Sequence, residues 1–262
     1  MSEPKASESV HWYDRSGKPV YQVPRADGKG MKDTTLREAR QMQLVPGVSG
    51  VIAMMAKPAL ETWKVKQGIL AALTLPRKEG EPEQDYLDRI MEDSREQAKK
   101  AAEKGTAIHA SLQGHYEGEP CPAEHWDYVR AVTERITAQY GPVKWRAESS
   151  FAHPLGYGGK RDLVGIQIAK ERPLIIDFKT KEFSELPNGS KNQLAWDEHC
   201  IQLAAYGAEY DDFDAANVFV STSNPGLVHI HEWTEAELKR GWRMFKSLLN
   251  LWQEKNRYMS GW

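Results

Sequence analysis

The sequence contains few cysteines, no long apolar run and almost no net charge, and each absence narrows the range of functions. Two cysteines, Cys121 and Cys200, among 262 residues are too few for a disulfide framework or a four-cysteine iron–sulfur cluster. No apolar run approaches the length of a membrane span, so no membrane partner is expected. The polar start Met1-Ser-Glu-Pro-Lys has neither the charged and apolar regions of a secretory signal nor the arginines of a transit sequence, which predicts a cytoplasmic protein.

The composition indicates a folded chain of moderate size. The net charge of −2 argues mildly against a general nucleic-acid coat protein, because such proteins are usually strongly basic. It is compatible with a site built from carboxylates, since these are part of the acidic count. With 40% apolar residues and nine tryptophans, the 262 residues are enough for one elaborated α/β domain.

The order of predicted elements is that of an α/β protein. Periodicity and turn residues in the first half predict a hairpin at 10–23, a loop at 27–32, and helices at 34–43, 59–73, 83–116 and 123–139. The second half predicts strands at 143–151, 158–168 and 173–180, a helix at 192–210, a strand pair at 216–222 and 227–233, and a helix towards residue 257. This order indicates a central mixed β-sheet flanked by helices. We expect residues 1–82 to form an N-terminal hairpin and helical cap and residues 83–262 to form the core, together as one compact unit.

The most informative residues lie on the second and third predicted strands. Asp177 and Lys179 alternate with Phe178, so the carboxylate and the ammonium project to one side and the phenyl ring to the other. The preceding run 174–176 is apolar and predicts a buried strand, in which charges are costly without partners. Asp162 continues into a strand, which favours a metal role over a turn cap. Two carboxylates and a lysine are the groups that metal-assisted phosphodiester hydrolysis needs.

Further polar residues flank this group. His109 closes a long predicted helix, although a lone helical histidine is more often a structural residue than a ligand. Glu148 lies on the strand before Asp162, where solvent exposure is the alternative to a metal or water-orienting role. Gln202 and Tyr206 are four residues apart and therefore share one helix face. Helix packing alone is the alternative explanation for the tyrosine.

Residues 105–210 resemble the RecB-like branch of the PD-(D/E)XK nucleases. The resemblance rests on five motifs in the order of that family: His109, Glu148, Gly-x-x-Asp162, Asp177-x-Lys179 and Gln202-x-x-x-Tyr206. The resemblance implies a PD-(D/E)XK nuclease core. It implies that one or two Mg²⁺ or Mn²⁺ ions are held by His109, Asp162, Asp177 and the carbonyl of Phe178. It assigns catalytic roles to Lys179, Asp177, Asp162 and Glu148. It assigns DNA-binding or supporting roles to Gln202 and Tyr206. Lys160 and Arg161 are candidates for the same roles as basic residues beside the motif, although a solvated surface is the favoured explanation for each, and His199 is a candidate because it lies three residues before Gln202.

The function that the resemblance predicts is metal-dependent DNA exonuclease activity in recombination, repair or phage DNA processing. The partners would be DNA and a recombination or single-strand annealing protein, in a bacterial or phage-infected cytosol. We expect the residues before His109 to roof the metal centre, so that DNA ends enter more readily than uninterrupted duplex. The alternatives are a structure-specific endonuclease on the same fold and a DNA-binding subunit with a vestigial centre, which the retained Asp and Lys disfavour. Strand polarity and oligomeric state stay open.

Overall fold

The computed structural model of the chain describes residues 11–56, 58–188 and 192–260. The described residues fall into two compact units, one within the bounds 1–55 and 111–262 and the other within 56–110. This division differs from the expected boundary after residue 82. The reason is that short N-terminal elements contact the same sheet as the C-terminal half of the chain. In the described part of the chain, no helix is long and apolar enough to cross a membrane.

The N-terminal part of the first unit consists of short elements. They are β1 (Trp12–Tyr13), β2 (Gln22–Pro24), β3 (Met31–Asp33), α1 (Leu36–Met42), β4 (Val45–Pro46) and α2 (Val48–Ile52). β1 pairs with β4, and β2 pairs with β3. The hairpin predicted at 10–23 is confirmed at its turn, where Tyr13 forms an antiparallel bridge with Pro19 and the Val20 N–H donates to the Trp12 carbonyl over 2.8 Å. The strand pairing of β1 with β4 was not predicted. The loop predicted at 27–32 ends inside β3. The predicted start of α1 is confirmed, because Thr35 precedes the helix and its N–H donates to Glu38 over 3.1 Å.

The second unit consists of α3 (Pro58–Thr74) and the first part of α4 (Glu83–Glu117). Between these helices, Glu81 accepts a hydrogen bond from Arg89 over 2.8 Å, and the Tyr86 hydroxyl donates to the carbonyl of Leu75 over 2.9 Å. The last turns of α4 belong to the first unit. They are followed there by a 3₁₀ turn (Ala123–His125) and α5 (Trp126–Tyr140), close to the predicted helix bounds.

A mixed five-stranded sheet lies at the centre of the first unit, as the sequence predicts. Its strands are β5 (Val143–His153), β6 (Tyr157–Gln167), β7 (Arg172–Lys181), β8 (Asp214–Ser221) and β9 (Val228–Trp233), in that spatial order. β7 and β8 run parallel, whereas the other neighbours are antiparallel. The apolar run Leu174, Ile175 and Ile176 is fully buried at 0% exposure, which fits a strand with neighbours on both sides.

Two helices complete the core on one side of the sheet. They are α6 (Asp197–Tyr206) and α7 (Glu235–Asn256), and they pack on each other and on Val164 and Ile175 of the sheet. Helix α6 is shorter than the predicted span 192–210. It begins after Trp196, whose backbone N–H donates to Nδ1 of His199 over 3.1 Å. Thr234 begins α7 as predicted, because its hydroxyl accepts the N–H of Glu237 over 3.3 Å.

Candidate active site

Asp162 and Asp177 lie opposite each other where strands β6 and β7 separate. The antiparallel register pairs Leu163 with Ile176 and would next pair Asp162 with Asp177, but the ladder ends before that pair. Instead, Oδ2 of Asp162 accepts the backbone N–H of Phe178 over 2.8 Å. The side-chain contact replaces a ladder hydrogen bond, so the strands part without leaving that N–H unsatisfied. The structure thus brings together the two aspartates that the sequence singles out.

The Asp177 carboxylate and the Lys179 ammonium form an ion pair on β7. Nζ of Lys179 lies 3.1 Å from Oδ1 and 2.8 Å from Oδ2 of Asp177. The Asp177 side chain is only 4% exposed, whereas that of Lys179 is 24% exposed. The buried carboxylate therefore has a cationic partner whose side chain is partly exposed. Phe178 points to the other side and stacks on Tyr116 at 6.2 Å, as strand alternation predicts.

Helix α6 holds the ammonium from the opposite side. Oε1 of Gln202 accepts a hydrogen bond from Nζ of Lys179 over 2.9 Å, and Nε2 of Gln202 donates to the Tyr206 hydroxyl over 3.0 Å. These two contacts fix the orientation of the amide, because its oxygen and its nitrogen each have one matching partner. Gln202 and Tyr206 therefore share one helix face, as predicted, and that face is directed at the Asp177–Lys179 pair.

The Tyr206 ring is buried between the sheet and α6. Burial raises the pKa of its phenol, with the nearby carboxylates of Asp177 and Asp162 adding to the effect. The phenol is therefore neutral across the physiological range and serves as a hydrogen-bonding group. A Cβ atom on Gly159 would lie 2.8 Å from ring atoms of both Phe151 and Tyr206. This close approach explains why a glycine precedes Asp162 by three residues.

Asn217 is a contributor that the sequence analysis missed. It lies beside Asp177 in the parallel β7–β8 register, is 0% exposed, and donates from Nδ2 to Oδ2 of Asp177 over 2.7 Å. Oδ1 of Asn217 accepts the indole N–H of Trp233 over 2.7 Å. The sequence does contain a feature that could have identified Asn217, because it is the one amide in the otherwise apolar run 215–220 of a predicted strand. A hydrogen-bonded chain therefore extends from Trp233 through Asn217 to the Asp177 carboxylate.

Glu148 lies across the sheet from Asp162 with an unusual backbone. The pairs Ala147–Leu163 and Ser149–Arg161 place it opposite Asp162, but this pair is absent from the β5–β6 ladder. Its φ of 51° lies in the left-handed region, which costs a residue other than glycine about 1–2 kcal/mol. The Glu148 carboxylate forms an ion pair with Lys160. Burial has the largest single effect and lowers the pKa of that ammonium, but the hydrogen bond to Glu148 and the charges of Glu148 and Asp162 together outweigh burial, so the net shift of the pKa is upward.

Arg161 is buried, so of its two predicted roles its contacts fit the supporting one. It is 1% exposed, its Nε donates to the carbonyl of Tyr206 over 2.8 Å, and its guanidinium lies 2.8 Å from Glu209. The guanidinium also covers the Phe151 ring at 4.1 Å. Arg161 and Val164 both face α6, although strict strand alternation would place residues three apart on opposite sides of the sheet. The alternation of β6 therefore shifts by one residue at Asp162. Arg161 anchors α6 to the sheet.

The two predicted histidines have different positions. His199 is buried at the start of α6, where it accepts the Trp196 N–H and packs edge-on against Phe219 at 5.4 Å. It therefore supports the helix that carries Gln202. His109 is partly buried on α4 within the second unit. Across residues 11–56, 58–188 and 192–260, no three His, Cys, Asp or Glu side chains converge as a group that could hold a metal ion.

Comparisons with known proteins do not assign a family. No family model matches the chain, and no curated protein matches it. Fourteen chains of solved structures match. One of these, titled "Crystal structure of SSO0001", is 13% identical, covers 72% of this chain and 86% of its own, and has a TM-score of 0.31. A likeness at this level does not identify an activity.

Proposed function

We propose that this chain is a metal-dependent deoxyribonuclease of the RecB-like PD-(D/E)XK type that hydrolyses phosphodiester bonds at DNA ends. One observation carries the proposal. Two aspartates from adjacent strands meet where those strands part, and a partly exposed lysine is paired with one of them. Carboxylates that are brought together beside an ammonium suit the hydrolysis of an anionic ester.

The chemistry of the donor groups fits Mg²⁺ or Mn²⁺. Asp162 and Asp177 offer hard carboxylate oxygens, and Glu148 is in register across the sheet from Asp162. An ion at Asp177 would compete with the Lys179 ammonium, which now contacts both oxygens of that carboxylate. When bound, the ion would supply Lewis-acid stabilisation and a lower pKa for a water ligand. The ligand roles of His109 and of the Phe178 carbonyl stay predictions from the resemblance.

The residues around the two aspartates have separate tasks in this proposal. Lys179, whose side chain is partly exposed, neutralises negative charge on the phosphate and orients the attacking water. Gln202 holds that ammonium in place, and Tyr206 holds Gln202. Asn217 fixes the carboxylate plane of Asp177. Lys160 provides a second cation on the side of Glu148.

DNA as the substrate and DNA ends as the point of attack come from the family resemblance. The same resemblance supports a role in recombination, repair or phage DNA processing, with a recombination or annealing protein as partner. An endonuclease would use the same carboxylates and lysine, so the choice between these two activities belongs to the experiment.

The test uses purified protein with Mg²⁺ on end-labelled linear DNA and on covalently closed circles, each as single and double strands. We expect progressive shortening of linear strands, survival of circles, and no reaction in excess EDTA. Circles cut as fast as linear DNA would replace the exonuclease proposal with the endonuclease. Full cleavage in EDTA, or no cleavage of any DNA with Mg²⁺ or Mn²⁺, would contradict a metal-dependent nuclease.

A further inference from the structure

A stacked pair of aromatic rings lies beside the candidate active site. The imidazole of His11 and the phenol ring of Tyr21 are 4.3 Å apart with an interplanar angle of 26°. Tyr21 is half-buried, whereas His11 is exposed. One face of the imidazole is therefore covered by Tyr21, and the exposed side of the ring is available for another flat group.

The stack is attached to the strand that carries Asp162. The hydroxyl groups of Tyr21 and Tyr13 lie 2.9 Å apart, and the two rings meet edge to face at 5.7 Å. Tyr13 is 3% exposed and packs on the backbone of Gly158, where a Cβ atom would lie 2.9 Å from Cγ of the tyrosine. Gly158 precedes Asp162 by four residues on β6, so the buried Tyr13 links the stack to the carboxylate strand.

Backbone contacts hold both rings in position. The carbonyl of His11 accepts the N–H of Gly47 over 2.6 Å, and the carbonyl of Tyr21 accepts the N–H of Thr34 over 2.9 Å. A ring pair whose backbone and hydroxyl are already fixed loses little conformational entropy when a third ring stacks on it. The arrangement is therefore suited to binding a planar ligand without reorganisation.

The charges near the stack suit a nucleotide. Partial desolvation lowers the pKa of His11, and the positive charge of Lys160 lowers it further, so the imidazole is neutral at neutral pH. A neutral ring stacks on a base, and the Lys160 ammonium, whose side chain is 36% exposed, attracts a phosphate. Ring and cation lie on the side of the site that also carries Glu148, with which Lys160 is paired.

We propose that the His11–Tyr21 stack binds a nucleobase at the end of the DNA strand that enters the carboxylate site. This inference rests on the proposed nuclease function and adds a contact for one base to it. Stacking is tolerant of sequence, since every base has an aromatic face, so the contact would position the strand without selecting a particular base.

The test compares strands that have or lack the base in question. Single strands with an internal fluorophore carry an abasic residue at the 5′ end, at the 3′ end or at neither. Binding to the full chain is measured by anisotropy with Ca²⁺ in place of Mg²⁺, and Mg²⁺-dependent cleavage of the intact strand is measured in parallel. For one of the two ends, removal of the base should weaken binding to wild type by on the order of 10-fold.

The variants separate stacking from other effects. His11→Ala should weaken binding of the intact strand by a similar factor and cause no further loss on the abasic strand. His11→Phe should keep wild-type affinity. The matched control is His153→Ala, because His153 also stacks on a tyrosine, Tyr157, at 4.8 Å and 20°, but its ring packs against Trp242 of α7. This control should behave as wild type.

Two outcomes would overturn the inference, and they can be told apart. If wild type binds and cleaves DNA but His11→Ala has no effect, or weakens intact and abasic strands equally, the stack does not bind a base and the nuclease proposal stands. If wild type neither binds nor cleaves any strand, the stack inference falls together with the proposed function.

Discussion

Asn217 on β8 donates its amide to the Asp177 carboxylate on β7 over 2.7 Å, and the same side chain accepts the indole N–H of Trp233 over 2.7 Å. The bond to Asp177 is buried and the bond from Trp233 is partly buried, so their loss should be costly. We expect Asn217→Ala to lower the free energy of unfolding by about 2–3 kcal/mol, because it leaves the indole without an acceptor and removes one donor from Asp177. Urea unfolding measures this directly.

A double-mutant cycle tests whether Asn217 acts on Asp177 itself. The loss caused by Asn217→Ala should be smaller in an Asp177→Ala background, with a coupling energy of about 1 kcal/mol or more. Strictly additive losses would mean that Asn217 stabilises the sheet without holding the carboxylate.

Lys160 and Arg161 are adjacent in sequence but differ in burial, which provides a matched pair of variants. Arg161→Met should lower the free energy of unfolding by about 2–3 kcal/mol, since it breaks the buried hydrogen bond to the carbonyl of Tyr206 and the ion pair of the buried guanidinium with Glu209. Lys160→Met should cost less than about 1 kcal/mol in stability. It should instead weaken DNA binding and make the slope of log affinity against log salt concentration shallower by about one.

Both variants are measured by urea unfolding and by DNA binding over a salt series. The buried position of Arg161 predicts normal affinity for the folded Arg161→Met protein. An equal loss of DNA affinity in the two variants would show that Arg161 reaches the DNA, contrary to the structure.

Glu38 should make stability depend on acid pH. Its hydrogen bonds from Lys32, over 2.6 Å, and from Thr35 lower its pKa to about 2, from an ordinary value of 4.5. A carboxyl group whose pKa falls on folding contributes stability above its unfolded pKa and loses it as the pH falls towards the folded value. Wild type should therefore be more stable than Glu38→Gln at pH 6, and the difference should shrink between about pH 4.5 and pH 2.

The pH dependence is followed by urea unfolding of both proteins at a series of pH values. A Glu38 carboxyl that titrates near 4.5 by NMR, or a difference that grows on acidification, would contradict this assignment.

Local pattern was enough to predict the sheet and the central residue pair. The alternation of Asp177, Phe178 and Lys179 follows from strand geometry alone, and the apolar run before them marks a strand with neighbours on both sides. The helix starts at Thr35 and Thr234 could also be predicted from local sequence, because each depends on a side chain three residues further along the chain.

Non-local pairing was not visible in the sequence. Tyr13 bridges Pro19 across its own turn, which is a local contact, but it also pairs with Val45 of β4, and this second pairing depends on packing against the sheet. The role of Asn217 depends on a parallel register set across the whole of α6. Lys160, Arg161 and Asp162 are three consecutive charged residues, and the sequence does not indicate which of them is buried. In the structure the shift of strand alternation at Asp162 determines that Arg161 faces the core.

The central claim is that the Asp162–Asp177–Lys179 group hydrolyses DNA, and its most direct test is single-turnover cleavage of linear DNA with Mg²⁺. Asp177→Asn keeps the size of the side chain and removes its charge. We expect it to slow cleavage by on the order of 100-fold or more. The control Asp212→Asn, at an exposed carboxylate before β8, should cleave as wild type does. Cleavage by folded Asp177→Asn at the wild-type rate would contradict the assignment of this group as the active site.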